Sequence, residues 1–284
     1  MTLDFALELM DREDLGADDV PDYLAISFSS TDYVGHVFGP SSLEAEDNIL
    51  RLDRTLARLL AALNERVGLE NTVIVLSADH GGPEAPGALT ELGLKADYVD
   101  PSSWDRAPAI AALEQRFGFG EDLIDQYFHP YLYLNRELIA AEGLDKAEVE
   151  RAVAEVLTDF DGVALAVSSS ALRTGNLPDT PILRSVLNNF NPKRSGDIYV
   201  VFEPHRFIND FDGLIVACTH GSPWTYDTFV PVIAVVPGVP PQTVFRRVSP
   251  LDIAPTLSAL VGAKPPSGAE SDPLLEVMAE SGGE

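Results

Sequence analysis

YLAISFS at residues 23–29, TVIVLSA at 72–78 and the leucine-rich stretch Ser42–Val67 between them decide the fold. Both short runs are apolar with little alternation, the pattern of strands covered on both faces. The intervening stretch carries leucines at 52, 56, 59, 60 and 63 with charged residues between them, which predicts one long amphipathic helix. Ser41 or Ser42, followed by Glu44 and Glu46, suits its N-terminus. Strand, helix and strand at this spacing make a crossover unit with parallel strands.

Further runs extend the pattern in both directions. Val163–Val167 (VALAV), Ile198–Phe202 (IYVVF) and Val230–Val236 (VPVIAVV) read as strands, and Ser249–Gly262 as a helix. The opening MTLDFALELMDREDLG places Leu3, Ala6, Leu7 and Met10 on one side of a helix, and its acids are unlike the basic flank of a secretory signal. The class is α/β, a doubly wound and mostly parallel sheet. Pro83–Arg194 differs, with helical patterns at Trp104–Phe117 and Asp145–Asp159 and scattered Pro and Gly, as expected of a smaller inserted α+β lobe. The expected organisation is a core from 1–82 and 196–268, a lobe from 83–195 and a loosely ordered tail from 269–284.

The 284 residues include 19 basic and 45 acidic side chains, a net charge of −26. That excludes nucleic acid and anionic membranes as partners, since both need a basic surface. No stretch approaches the roughly 18 apolar residues of a membrane span. A phosphate substrate would be repelled by such a field unless bound divalent cations dominate the site locally. The single cysteine, Cys218, excludes an intrachain disulfide; it could serve as a soft metal ligand, but reads first as a small buried core residue.

The chemistry-bearing residues follow the strands. After YLAISFS come Asp32 and His36, one helical turn apart, so both can reach one ion; a local Asp–His hydrogen bond or a capped turn has the same spacing. TVIVLSA runs into Asp79-His80-Gly81-Gly82. Neighbours on a regular strand face opposite ways, and the two glycines permit the bend that would bring both to one metal. A structural turn is the alternative there. His220, in THGSPW, belongs to a loop before the last strand, where a lone histidine is usually a surface residue. His129 and His205 have no partner pattern. A doubly wound sheet gathers residues beyond the C-terminal ends of its strands, so Asp32, His36, Asp79, His80 and His220 are candidates for one crevice. Carboxylate oxygen mixed with imidazole suits zinc.

FSSTDYVGHVFGPSSLEAED, LSADHGG, THGSPWTYDTFVPVI and RVSPLDIAPTLSALVG together resemble consecutive motifs of the phosphate-irrepressible, single-chain alkaline phosphatases, relatives of the type I phosphodiesterases and nucleotide pyrophosphatases. The likeness runs from about residue 2 to about residue 268. It implies hydrolysis of phosphate monoesters at two zinc ions, through a phospho-Thr or phospho-Ser intermediate. Asp32, His36 and His220 match the complete ligand set of one zinc, and Asp79 and His80 match two ligands of the other. The remaining Asp ligand, the nucleophile and the Lys, Arg and Asn phosphate clamps belong, by this resemblance, upstream of the matched segment, so no catalytic nucleophile is assigned in this chain. Thr31 does not match the nucleophile position. The resemblance also implies a periplasmic or secreted protein, and a missing N-terminal half or another subunit covering an exposed sheet edge. A phosphodiesterase or pyrophosphatase, and an inactive zinc-binding or partner-binding fragment, are the competing expectations.

Overall fold

The computed structural model describes residues 1–119, 122–175, 177–211 and 213–278. They form two units, the first from Met1–Tyr33, Leu43–Asp79 and Val230–Glu284, the second from Val34–Ser42 and His80–Phe229.

In the first unit a helix at Thr2–Arg12 buries Leu3, Ala6 and Met10, the expected side, and lies against the long helix Leu43–Arg66. Asp4–Arg58 and Asp11–Arg66 ion pairs tie the two together. Exposed pairs of this kind are screened by solvent and contribute little, so the apolar stripe decides the packing. The predicted strands 72–78 and 230–236 are present as Ile74–Ser77 and Val232–Val235. They pair with each other, antiparallel, with Ile74 opposite Val235 and Ser77 opposite Val232.

The expected parallel crossover ladder differs here. Among the described residues no ladder includes Tyr23–Ser29, although the segment keeps a strand-like alternation of half-buried Leu24, Ile26 and Phe28 with exposed neighbours. A strand is defined by the neighbour that takes its hydrogen bonds, and composition cannot supply one. On the two-stranded pair, Leu76 and Ile233 face each other across the register and both are exposed, as is Val235. Among the described residues, the buried hydrophobics of this unit are Leu3, Ala6, Met10, Ala45 and Leu274.

Of the tail expected to be loosely ordered, residues 269–278 are anchored. Leu274 is buried, its N–H donates to the Thr256 hydroxyl at 2.8 Å, and Arg246 pairs with Glu276. Residues 279–284 lie outside the described residues.

The second unit holds the main core. Its four-stranded antiparallel sheet runs Ile124–Phe128, Tyr131–Leu134, Ile198–Phe202, Val163–Ser168 in space. The two apolar runs VALAV and IYVVF are covered on both faces as their composition predicts. In Ile198–Phe202 the residues Ile198, Val200 and Phe202 pack on the helices Pro108–Phe117 and Lys146–Thr158. Tyr199 and Val201 pack on Leu172, Leu183 and Val186, the last two from the helix Pro181–Asn189. Asp145 and Thr180 cap two of these helices through Ala147 and Leu183 N–H groups. Among the described residues no helix is long and apolar enough to cross a membrane.

Candidate metal centre

His36 and His220 meet because a helix end is stitched to a loop. Asp32 and His36 lie on the helix Ser30–Phe38, which stops at Gly39, whose φ of +85° only glycine adopts without strain. The His36 carbonyl, left open at this helix end, accepts the Ala217 N–H at 2.7 Å. In return His36 Nδ1–H donates to the Cys218 carbonyl at 2.8 Å. With a longer Cys218 N–H bond to the same His36 carbonyl, at 3.4 Å, three bonds between His36 and residues 217–218 deliver His220, two residues on, to a ring distance of 4.9 Å from His36.

The direction of the Nδ1–H bond carries chemistry. A carbonyl only accepts, so the Nδ1 of His36 carries a proton, and Nε2 is the ring nitrogen that can serve as a ligand. His80 repeats the device, with Nδ1–H donating to the Gly81 carbonyl at 2.8 Å. This is the arrangement by which proteins orient metal-binding imidazoles. The His80 ring stacks on His220 with centroids 3.4 Å apart.

Asp32, one turn before His36 on the same helix, completes a group: the ligand-capable atoms of Asp32, His36 and His220 all lie within 4.8 Å of one another. Ligand atoms around a tetrahedral ion with bonds of about 2.0–2.1 Å are roughly 3.4 Å apart, so the three side chains could share one ion after a modest side-chain rotation. Asp79 and His80 stand outside this three-residue group. Asp79 follows the Ile74–Ser77 strand by two residues, and His80 joins the cluster through its ring contact with His220. Cys218 is buried, its sulfur directed to the Gly35 carbonyl at 3.4 Å, in keeping with a core residue.

The glycines of DHGG work differently from the expectation. Neither Gly81 nor Gly82 has a positive φ. Gly81 is instead required by proximity: a Cβ there would lie 2.1 Å from the Tyr226 carbonyl oxygen, whereas at Gly82 it would meet nothing within 4 Å. Gly81→Ala should therefore cost about 1–3 kcal/mol and disturb His80, while Gly82→Ala stays near wild type. Urea midpoints of the two variants measure this, and equal values would contradict the packing account.

Sequence reasoning passed over two residues beside the cluster. His129 shares a small cavity with His220, Gly221, Ser222 and Asp227. Its Nδ1 is hydrogen-bonded with the Tyr127 hydroxyl at 2.8 Å, and its Nε2 is shielded from solvent without a hydrogen bond. Burial, and secondarily the charge of His220, push its pKa down to about 4. The available signal was the Tyr127-x-His129 spacing, which puts both on one face of a strand. Asp227, the second, was a lone acid in an otherwise neutral run after THGSPW.

An α/β fold with a carboxylate and two imidazoles able to hold one metal ion defines the class. The family model for type I phosphodiesterase / nucleotide pyrophosphatase matches residues 2–222, and the chain belongs to this family, within the alkaline phosphatase superfamily. It is 32% identical over 283 residues to alkaline phosphatase PafA of Elizabethkingia meningoseptica, covering 98% of this chain and 50% of that protein. It is 36% identical over 281 residues to a Myroides odoratus protein named calcium-transporting ATPase, again covering 98% and 50%. The crystal structure of wild type PafA superposes with a TM-score of 0.87 over 98% of this chain and 52% of that one. Murine ectonucleotide pyrophosphatase / phosphodiesterase 5, at 13% identity and a TM-score of 0.59, shares the fold. The chain spans about half the length of these curated relatives.

Proposed function

We propose that this chain supplies the zinc-binding part of a phosphate monoesterase. Asp32, His36 and His220 hold one zinc ion, and Asp79 and His80 contribute to a second. The observation that carries the reading is the convergence of Asp32, His36 and His220, whose donor atoms all lie within 4.8 Å of one another, with His36 oriented through Nδ1 by the Cys218 carbonyl. Carboxylate with neutral imidazole leaves a dication net positive, as a phosphoryl group requires in a chain of net charge −26. Two zinc ions, when bound, would polarise the phosphoryl oxygens and lower the pKa of an attacking hydroxyl or water. The residues of this chain set the ions' position, and the hydrogen bonds at Nδ1 keep both imidazoles in the ligating tautomer.

Full turnover, in this proposal, draws the nucleophile, the third ligand of the second zinc and the phosphate clamps from a complementing N-terminal segment or another subunit. Support comes from the half-length coverage of the relatives and from the bare apolar face at Leu76, Ile233 and Val235. The match to the phosphodiesterase family model favours a second reading, cleavage of diesters.

The test is metal content and turnover, on the chain alone and co-expressed with a PafA-like N-terminal segment. The expected result is zinc bound by the chain alone, with p-nitrophenyl phosphate hydrolysed faster than bis-p-nitrophenyl phosphate by the complemented protein. Faster diester cleavage would select the second reading. A chain that retains no zinc in either form would overturn both.

A further inference from the structure

Two of the histidine loops hang from one residue. Asp227 lies in the four-residue helix Thr225–Thr228 and is almost wholly buried. Its main-chain carbonyl accepts the Gly81 N–H at 2.7 Å, the residue after His80. Its side-chain Oδ2 accepts both the N–H and the hydroxyl of Ser222, at 2.8 and 2.5 Å, two residues after His220. The Tyr226 carbonyl closes on Gly81 so tightly that no side chain fits between them. The two loops are thus tied to two oxygens of one residue, and the rings they carry stack at 3.4 Å.

We infer that Asp227 is a positioning residue for the metal centre: its carboxylate sets the His220 loop against the His80 loop. This rests on the metal reading above and extends it to a residue that touches no ion. The cost of the arrangement is visible. Oδ1 of Asp227 is shielded from solvent and makes no hydrogen bond. Burial raises its carboxyl, offset in part by the hydrogen bonds from Ser222 and Gly221 and by the charge of His80. A carboxylate half satisfied in the interior is destabilising by itself. A purely structural turn would be served as well by Ser or Asn, which bind backbone N–H groups without a buried charge.

Two measurements on Asp227→Ala, Asp227→Asn and Ser222→Ala test the inference. The first is amide hydrogen exchange of the metal-free chain. The Gly81 N–H bonds the main chain of residue 227, which no side-chain substitution deletes. Faster exchange at Gly81 as well as Ser222 in Asp227→Ala is therefore expected only if the carboxylate holds both loops. Exchange that changes at Ser222 alone overturns the inference. The second is titration with Co²⁺ followed by its visible absorption, with Zn²⁺ affinity by competition. Asp227→Ala should bind about 10–100-fold more weakly with altered Co²⁺ bands, and Asp227→Asn, which keeps one acceptor, should recover part of the loss. Unchanged affinity and bands in Asp227→Ala overturn it. If Asp227→Ala does not fold, Asp227→Asn and Ser222→Ala are read by the same criteria, each expected to weaken binding by a smaller factor. A wild-type chain that binds neither metal sinks the metal reading, and the exchange experiment then decides the positioning role alone.

Discussion

Asp197→Ala should lower the stability of the second unit by about 3–5 kcal/mol, the cost of breaking a buried ion network by removing one partner. Asp197 is fully buried beside the end of Ile198–Phe202. Its carboxylate accepts from Arg136 Nε at 3.0 and 3.1 Å, from the Leu134 N–H at 3.0 Å, and pairs with Lys146 at 2.7 Å. Lys146 also pairs with Glu150, equally buried, whose second oxygen takes the N–H and hydroxyl of Ser170 at 2.9 and 2.5 Å. Truncating Asp197 orphans the Leu134 N–H inside the sheet and leaves two cations facing a cavity. Because Arg136 and Lys146 reach solvent, the lower end of the range is expected. For a unit of this size that is a fall of roughly 6–12 °C in melting temperature. Calorimetry measures it, and a change under about 2 °C would refute the account.

The same carboxylate gives the sign of a pH effect. Burial alone would raise its pKa, but hydrogen bonds from Arg136, Lys146 and Leu134 outweigh burial and leave it below the ordinary value. A depressed folded pKa means stability present above about pH 4 and lost as the pH falls through the folded value. The stability gap between wild type and Asp197→Asn should therefore narrow below about pH 4, and a gap that widened there would reverse the assignment.

The sequence was most legible where a segment's own residues settle its state. VALAV and IYVVF are strands within a residue of the predicted ends, and Lys146–Thr158 lies inside the predicted Asp145–Asp159. Both-sided burial of these strands was also legible. What it does not imply is direction, since helices cover both faces of an antiparallel sheet here. Pairing was hidden for the same reason at Tyr23–Ser29, whose composition calls for a strand while no described neighbour completes it. The hairpin Ile124–Leu134 was missed because aromatic and polar residues obscure its apolar period. At the candidate site, the motifs singled out Asp32, His36 and His220, whose donor atoms lie near one another, and His80, which stacks on His220. The bonds that fix the histidine tautomers were not legible, because the acceptor for His36 is a main-chain carbonyl 182 positions away.

His220→Ala is expected to weaken metal binding at the Asp32–His36 group by more than about 100-fold, beyond what loss of an outer hydrogen-bond partner produces. Three protein donors hold the proposed ion, and a dication left with one carboxylate and one imidazole competes poorly with water. No nearby donor replaces the lost ring easily: His80 belongs to the second ion in this proposal, and Cys218 has its sulfur against Gly35. His36→Ala should lose as much, and should also release Cys218 O and loosen the loop that carries His220. Cys218→Ala separates the two effects, since it removes a buried sulfur without touching a donor of the group, and should keep wild-type stoichiometry. Zinc content after dialysis against a weak chelator, with circular dichroism to verify the fold, is the measurement. Undiminished zinc in folded His220→Ala would show that these three side chains meet for packing, and the ion would have to be sought elsewhere.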